Sequence, residues 1–289
     1  MMLPRLLVPA LLSVAWLLSG CTATGVPGVS TRMAEPVVSD AASDNALRAK
    51  LVMSALDREA LFTVAGIKPL STGIWDGAFS IEDASPASFI EATAARRELA
   101  TLSRWPYYAD VMTFATAWDG KRNMDAYIMH IPAMRETIDA HSVFAKHGIS
   151  RHSHPAEVLA VVERMPRSDR FEAYGHLFGY PEHAVRFFVD ADLQRENAAA
   201  GPDGKKPITP RDFFHIPTHE AATGRFTYAV PKGHEPLPED LALRDRAATV
   251  LAQYRADRDR AAGDDAPLSA LAAQRLFERV ATRAKSEPE

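Results

Sequence analysis

The sequence predicts an α+β fold that is rich in helices, with an antiparallel sheet of at least four strands covered by helices. Three observations lead to this class. Apolar residues recur at helical spacing through most of the chain. Two pairs of runs have the aromatic and β-branched character of strands. Strand and helix patterns do not alternate regularly, so a parallel sheet is not expected.

The first part of the chain carries two predicted helices. Asp44 is a suitable capping residue for a helix over 44–62. Ser85 and Pro86 have the order of a helix start, a capping residue followed by proline at the first helical position. The apolar residues that follow predict a helix over 86–104. The segment between these two helices is predicted to be a loop or a short strand.

Two hairpins supply the predicted strands. The runs 107–118 and 123–131 are separated by an Asp-Gly pair at 119–120, which is typical of a hairpin turn. The runs 212–216 and 225–230 predict a second hairpin with a longer loop.

Proline and glycine punctuate the remaining helical patterns. The clearest pattern follows Pro238, with apolar residues at positions i, i+4, i+7, i+8 and i+11 counted from Leu243. In chain order, these predicted helices are 132–147, 155–165, 171–178, 181–193, 238–254 and 267–283.

The amino terminus has the pattern of a targeting signal. Arg5 is followed by an almost wholly apolar run over 6–18, which is shorter than the about 20 residues of a membrane span. A positive residue, a short apolar run and small residues before a cut are typical of a secretory signal. The motif at 18–21, Leu-Ser-Gly-Cys, resembles the lipobox of bacterial lipoproteins in all four positions.

This resemblance implies a lipid anchor at Cys21. In lipoproteins the thiol of this cysteine receives a diacylglyceryl group, the signal is cut before it, and the new amino terminus is usually acylated, with palmitate as the expected label. Two or three acyl chains give a stable membrane attachment, whereas one gives a marginal attachment. In such lipoproteins, aspartate directly after the lipidated cysteine is the signal for retention in the inner membrane. Thr22 stands at this position, which favours the outer membrane. The alternative is an ordinary signal peptide followed by a chance cysteine.

The resemblance divides the chain into three parts. Residues 1–20 are the predicted signal peptide, 21–45 the lipidated amino terminus with a flexible tether, and 46–289 a single globular domain. At about 5–6 Å × √n, the tether has a mean reach of roughly 25–30 Å. The expected location is the cell envelope, with the domain facing the periplasm or the cell surface.

Composition excludes several classes of function. The 289 residues carry a formal net charge of −4, whereas a nucleic-acid-binding domain needs a basic face. Cys21 is the only cysteine, which leaves the domain without a disulfide, a thiolate nucleophile or a cysteine-ligated zinc. The P-loop, the Gly-x-Gly-x-x-Gly fingerprint and the Gly-x-Ser-x-Gly elbow are missing. No cofactor is expected other than a divalent metal.

Histidines give the strongest indication of a site, because all ten lie between His130 and His234. His152 and His154 are two residues apart, so in extended backbone both rings face the same side, roughly 6.6 Å apart. The simpler interpretation of this pair is a solvated loop in which Ser153 caps the next helix.

His130 and His215 each lie at the end of a predicted strand. Their rings converge if the two hairpins are neighbours in one sheet; otherwise both are core-edge histidines that backbone groups satisfy. The candidate metal site, with zinc as the candidate ion, is therefore the set His130, His152, His154 and His215.

Other histidines are interpreted as structural. The stretch 219–223 approaches the zinc-protease pattern His-Glu-x-x-His, but Thr223 replaces the second histidine and the motif is rejected. His176 and His183 flank a turn at 179–181 and are predicted to be helix-end residues that complement a helix dipole or cap the turn.

An aromatic-rich set lies ahead of and within the first hairpin, and it includes Trp75, Trp105 and Trp118. Most such residues belong to a core. An exposed cluster of them would bind a glycan or a hydrophobic partner.

Two functional hypotheses follow from these sequence features. The first is a lipid-anchored envelope protein whose domain binds a small ligand or a protein partner without catalysis. The second is a metal-dependent envelope hydrolase with a histidine-lined site. The membrane, reached through the lipid, is the one partner that the sequence itself indicates.

Overall fold

The computed structural model describes residues 41–82, 87–201, 204–262 and 268–283. The chain divides into two units, 1–38 and 39–289, and the described residues all belong to the second. The predicted signal peptide, the lipidation site Cys21 and most of the predicted tether lie outside the described residues. The first described helix begins at Ala41, so residues 41–45 of the predicted tether are helical.

The described residues form ten helices and six strands, which confirms the helix-rich α+β class. The helices are α1 (Ala41–Asp57), α2 (Ala60–Val64), α3 (Ala87–Leu99), α4 (Ile131–Ala140), α5 (Ser142–Lys146), α6 (Pro155–Val162), α7 (Arg167–Leu177), α8 (Glu182–Asn197), α9 (Pro238–Ala262) and α10 (Ala270–Arg283). The strands are β1 (Leu70–Ser71), β2 (Asp76–Ser80), β3 (Tyr107–Trp118), β4 (Lys121–His130), β5 (Arg211–Ile216) and β6 (Phe226–Pro231).

Strand β4 is the centre of a four-stranded antiparallel sheet. The first predicted hairpin is present, with β3 along one edge of β4 and Tyr107 opposite His130. Strands β1 and β2 pair one after the other with the second edge of β4. The additional strands of this sheet therefore come from the segment between α2 and α3.

The second predicted hairpin is also present, but β5 and β6 form a sheet of their own. Both edges of β4 are already occupied, which leaves no place for the second hairpin beside it. The convergence of His130 and His215 in one sheet required the two hairpins to be neighbours, and that condition is not met.

Side chains of β4 alternate between two hydrophobic cores on opposite faces of the sheet. Met124, Ala126 and Ile128 belong to the first core, which also packs α1, α2, α3, α9, α10 and the second hairpin. Tyr127 and Met129 belong to the second core, which packs helices α4 to α7. Helices therefore cover both faces of the sheet.

A close approach of α7 and α8 positions residues of the candidate site. A Cβ atom at Gly175 would lie 2.8 Å from Cγ2 of Val185, so only glycine leaves room for this contact. The loop between the helices turns at Gly179, whose φ of 72° lies in the left-handed region. Helix α8 also contacts β6, and its first turn thus lies between α7 and the second hairpin. Among the described helices, none combines the length and the apolar character that crossing a membrane requires.

Candidate metal centre

Two of the predicted metal ligands are helix caps. His130 precedes α4, and its Nδ1 accepts a hydrogen bond from the N–H of Ala133 at 3.3 Å. His154 precedes α6, and its Nδ1 accepts a hydrogen bond from the N–H of Ala156 at 3.2 Å. The carboxylate of Glu157 completes this capping box at the N–H of His154. One ring nitrogen of each histidine is thus engaged by the backbone.

The other two predicted ligands lie apart on the surface. His152 is exposed in the loop before α6. His215, in β5, shares a hydrogen bond of 2.9 Å with the hydroxyl of Thr227. Within the part of the chain that the structure describes, none of the four predicted histidines belongs to a group of three metal-ligating side chains.

The three tryptophans have different environments. Trp75 packs against the first core, and its ring covers Gly77 so closely that a Cβ atom there would lie 2.5 Å away. Trp105 is 63% exposed, with the guanidinium of Arg135 5.4 Å from its ring centroid. Trp118 is exposed at the end of β3. Trp75 is therefore a structural residue, and Trp105 and Trp118 stay candidates for a surface contact.

The pocket beside Trp105 is small. It has a volume of about 140 Å³ and is also lined by Tyr107, Phe277 and Glu278. Sites for drug-sized ligands usually have roughly 300–1,000 Å³. This pocket is thus too small to enclose such a ligand.

The structure instead gathers six other side chains into two groups, each of two histidines and one carboxylate. In each group the potential ligand atoms all lie within 4.8 Å of one another. The first cluster is His183, His234 and Asp240, and the second cluster is His141, His176 and Glu182.

Three chain segments build the first cluster. His183 is the second residue of α8, and Asp240 is the third residue of α9. His234 lies in the turn between β6 and α9, where its N–H donates to the carbonyl of Pro231 at 3.0 Å. An acidic residue in the first turn of a helix is favoured by the helix dipole, so the position of Asp240 suits its charge.

Asp240 is fully buried and fixed by hydrogen bonds. The hydroxyl of Tyr228 donates to Oδ1 at 2.5 Å, and the N–H of Leu237 donates to Oδ2 at 2.8 Å. His234 Nε2 lies 2.9 Å from Oδ2. Burial raises the pKa of Asp240, but the hydrogen bonds from Tyr228, His234 and Leu237 outweigh it and hold the pKa below its usual range. The carboxylate is therefore ionised at neutral pH.

His183 presents one ring nitrogen to this carboxylate. Its Nδ1 lies 3.0 Å from Oε1 of Glu239, at hydrogen-bond distance. Its Nε2 lies 3.3 Å from Oδ1 of Asp240, is buried, and has no hydrogen-bond partner. When Glu239 accepts the proton of Nδ1, Nε2 of the neutral ring carries a lone pair. A lone pair that faces a buried carboxylate is unfavourable unless a proton or a metal ion lies between them.

The separation between His183 and Asp240 fits a metal ion. Zinc binds imidazole nitrogen at about 2.0–2.1 Å and carboxylate oxygen at about 2.0–2.2 Å, so two ligands of a tetrahedral ion are roughly 3.3–3.5 Å apart. The 3.3 Å between His183 and Asp240 has this size. Glu239 behind His183, and Tyr228 behind Asp240, are the outer partners that metal ligands commonly have.

The sequence analysis did not predict either cluster, because it interpreted His176 and His183 as structural residues at helix ends. Both do lie in terminal turns. His176 does not carry the charge that complements a dipole, because burial, followed by the neighbouring His141, lowers its pKa to about 4. One sequence signal could have indicated the first cluster. A Pro-Glu pair stands at the start of both α8 and α9, and a cluster residue follows it directly, at 181–183 and 238–240.

Comparison with protein family models, with curated proteins and with solved structures found no match for this chain.

Proposed function

We propose that the protein is a lipid-anchored protein of the bacterial cell envelope that binds zinc, or a similar divalent transition metal, at the first cluster. The observation that supports this most directly is the buried Nε2 of His183, which faces Asp240 without a hydrogen bond while Glu239 engages the opposite ring nitrogen. Imidazole suits zinc and its neighbours among the transition metals, whereas magnesium and calcium prefer oxygen ligands alone.

Each residue of the site has a distinct role in this proposal. His183 is the neutral ligand and Asp240 is the charged ligand. His234 becomes the third ligand by exchanging the hydrogen bond between its Nε2 and Asp240 for a bond to the ion. Tyr228 fixes the orientation of the carboxylate through its 2.5 Å hydrogen bond. Glu239 holds the ring of His183 so that Nε2 faces the site.

Equilibrium dialysis with zinc tests the proposal. The full chain, purified in detergent and stripped with EDTA, is dialysed against zinc with excess magnesium present, and bound zinc is measured by mass spectrometry. We expect His183→Ala to lower bound zinc by one equivalent per chain. His215→Ala is the matched control, because His215 is a surface histidine outside the cluster whose Nδ1 is hydrogen-bonded to the hydroxyl of Thr227. Loss of zinc in His215→Ala with full retention in His183→Ala would overturn the proposal.

A hydrolase is the second candidate function, and the number of ligands favours it. Structural zinc sites use four protein ligands, whereas catalytic sites use three and keep a position for water or substrate. The first cluster offers three, and both of its histidines are partly exposed. Zinc-dependent cleavage of chromogenic ester or phosphoester substrates, lost in His234→Ala, is the expected result. Equal rates in this variant and the wild type would rule this function out.

The membrane anchor is proposed from the lipobox motif at 18–21. Metabolic labelling with palmitate, followed by fractionation of inner and outer membranes, checks both the anchor and its location. We expect label on the wild-type chain in the outer membrane and none on Cys21→Ser. Equal labelling of the two chains would contradict the lipid anchor.

A further inference from the structure

Large apolar side chains are exposed at one end of the four-stranded sheet, where β2 ends and the turn at 119–120 joins β3 to β4. Four of them form a group that we call the sheet tip: Ile81 (48% exposed), Phe89 (38%), Ile90 (52%) and Trp118 (47%). Single apolar side chains on a surface are common, whereas a group of them marks a site of contact with a protein or a membrane.

Local contacts bring the members of the sheet tip together. Ile81 follows β2, and its N–H donates to the carbonyl of Gly120 at 3.0 Å. Trp118 is the last residue of β3 and pairs with the first residue of β4 across the turn. Phe89 lies in the first turn of α3, and its ring centroid is 4.9 Å from that of Phe79 in β2. The end of the sheet and the start of α3 therefore share one apolar surface.

Charges of both signs surround the sheet tip. Lys121 and Arg122 begin β4, and the exposed acidic residues nearby are Glu82, Glu91 and Asp119. The sheet tip is thus not a basic patch, and burial of its apolar side chains is the force that would hold it to a partner. An exposed tryptophan beside a lysine suits a membrane–water interface, where the indole lies at headgroup level and the lysine extends towards water.

The predicted tether enters the domain within reach of this surface. Asp44, in the first turn of α1, forms an ion pair with Arg97 in the last turn of α3. Phe89 belongs to the first turn of the same helix and lies about 12 Å from Arg97 along the helix axis. The predicted tether over 21–40 has a mean reach of roughly 22–27 Å. A lipid at Cys21 is therefore tethered closely enough for the sheet tip to contact the same membrane.

We infer that the sheet tip inserts into the interfacial region of a lipid bilayer and forms a second membrane contact beside the lipid. The inference rests on the proposed anchor, because the anchor makes this contact intramolecular and raises its effective concentration. The contact fixes the orientation of the domain on the bilayer, which a flexible tether alone does not do.

Site-directed fluorescence labelling tests the inference. The full chain is purified in detergent and reconstituted into phosphatidylcholine vesicles, with an environment-sensitive fluorophore attached at Ile90→Cys or Trp118→Cys. We expect blue-shifted emission and quenching by brominated acyl chains at both positions. Leu271→Cys in α10 is the matched control, because Leu271 is 59% exposed and lies outside the sheet tip. Emission typical of water at all three positions would overturn the inference.

The same preparation tests the anchor separately. Cys21 is the only native cysteine, so the wild type takes up no fluorophore when this thiol is lipidated, and labelling of the wild type contradicts the anchor. The variants are then labelled in a Cys21→Ser background, where each has a single thiol. Blue-shifted emission at Ile90→Cys in that background still supports the sheet tip, and emission typical of water refutes it.

Charged substitutions show whether the sheet tip inserts as one surface. Ile81→Asp combined with Ile90→Asp should abolish the blue shift at Trp118→Cys, because an ionised carboxylate resists transfer out of water. Leu271→Asp should leave the shift unchanged. Persistence of the shift in the combined variant would rule out insertion through this surface. All the replaced side chains are exposed, and thermal unfolding checks that each variant folds.

Discussion

The two histidine clusters share a donor set but differ in which member is buried. In the first cluster the carboxylate of Asp240 is fully buried and the histidines lie at its rim. In the second cluster His176 is buried, and the carboxylate of Glu182 is 53% exposed and paired with Arg186 at 3.0 Å. A fixed carboxylate needs no ordering when a ligand arrives, whereas an exposed side chain loses rotamer freedom at about 0.5–1.5 kcal/mol. Preorganisation therefore favours metal binding at the first cluster. The imidazoles of the second cluster are stacked with their centroids 3.5 Å apart, so their lone pairs do not point at one ion.

The largest effect is expected for the carboxylates themselves. Asp240→Asn removes the charge of a ligand and places an amide against the N–H of Leu237 or the hydroxyl of Tyr228. The metal-free protein should lose about 1–3 kcal/mol of unfolding free energy, because a buried polar group is left unsatisfied. Zinc affinity of the first cluster should fall by more than the ~10–100-fold typical of a residue that only orients a ligand.

Glu182→Gln is the matched variant in the second cluster. Its carboxylate is exposed, so the unfolding free energy should stay within about 0.5 kcal/mol of the wild type. Urea unfolding of the two metal-free variants measures the contrast. Equal losses of stability would show that burial of the carboxylate does not distinguish the clusters.

The next effect concerns the orientation of His183. Glu239→Gln replaces the carboxylate that engages Nδ1 with a weaker acceptor, and zinc affinity of the first cluster should fall by about 10-fold or more. Calorimetric titration measures the change. Glu235→Gln, on the exposed turn before α9, is the control and should bind as the wild type does. Unchanged affinity in Glu239→Gln would remove Glu239 from the site.

Stability comparisons between the clusters also require the pH dependence of the stability of the metal-free domain. The carboxyl group of Asp125 in β4 should contribute strongly to this dependence. Burial, with smaller effects from Asp76 and Glu59, raises the pKa of Asp125 to about 7. The folded chain then holds a proton that the unfolded chain releases, so stability falls as pH rises from about 4 to about 7 and is level above that.

Asp125→Asn should flatten this slope without affecting zinc binding at the first cluster. The amide oxygen keeps the hydrogen bond that the N–H of Gly73 donates to Oδ1 at 2.8 Å. Melting temperatures in EDTA between pH 5 and pH 8 provide the measurement. A slope identical to that of the wild type would assign the pH dependence to other groups.

The sequence was sufficient for the class of fold and for most of its elements, because these depend on local patterns. The Asp-Gly turn at 119–120 and the helix after Pro238 are both present where the patterns predict them. The strands on the second edge of β4 were predicted only as a loop or a short strand, because β1 has two residues and β2 contains Gly77, which leaves a weak strand pattern.

Local sequence patterns could not predict the clusters either. His152 and His154 are close in sequence and both exposed, yet His154 is engaged as a helix cap and the two do not form part of a cluster. His183 and Asp240 are far apart in sequence and meet only because α8 packs beside β6 and the turn into α9. The segment that holds all ten histidines contains those of both clusters, while which of them come together depends on tertiary contacts.

The central position of β4 has a consequence for how the domain unfolds. Met124, Ala126 and Ile128 serve one core, and Tyr127 and Met129 serve the other, so neither core is complete once this strand leaves the sheet. A slip of one residue would push Tyr127 and Met129 into the space now filled by Ala126 and Ile128. The two halves therefore depend on one another, and we expect a single cooperative transition in which probes placed in either core report the same midpoint.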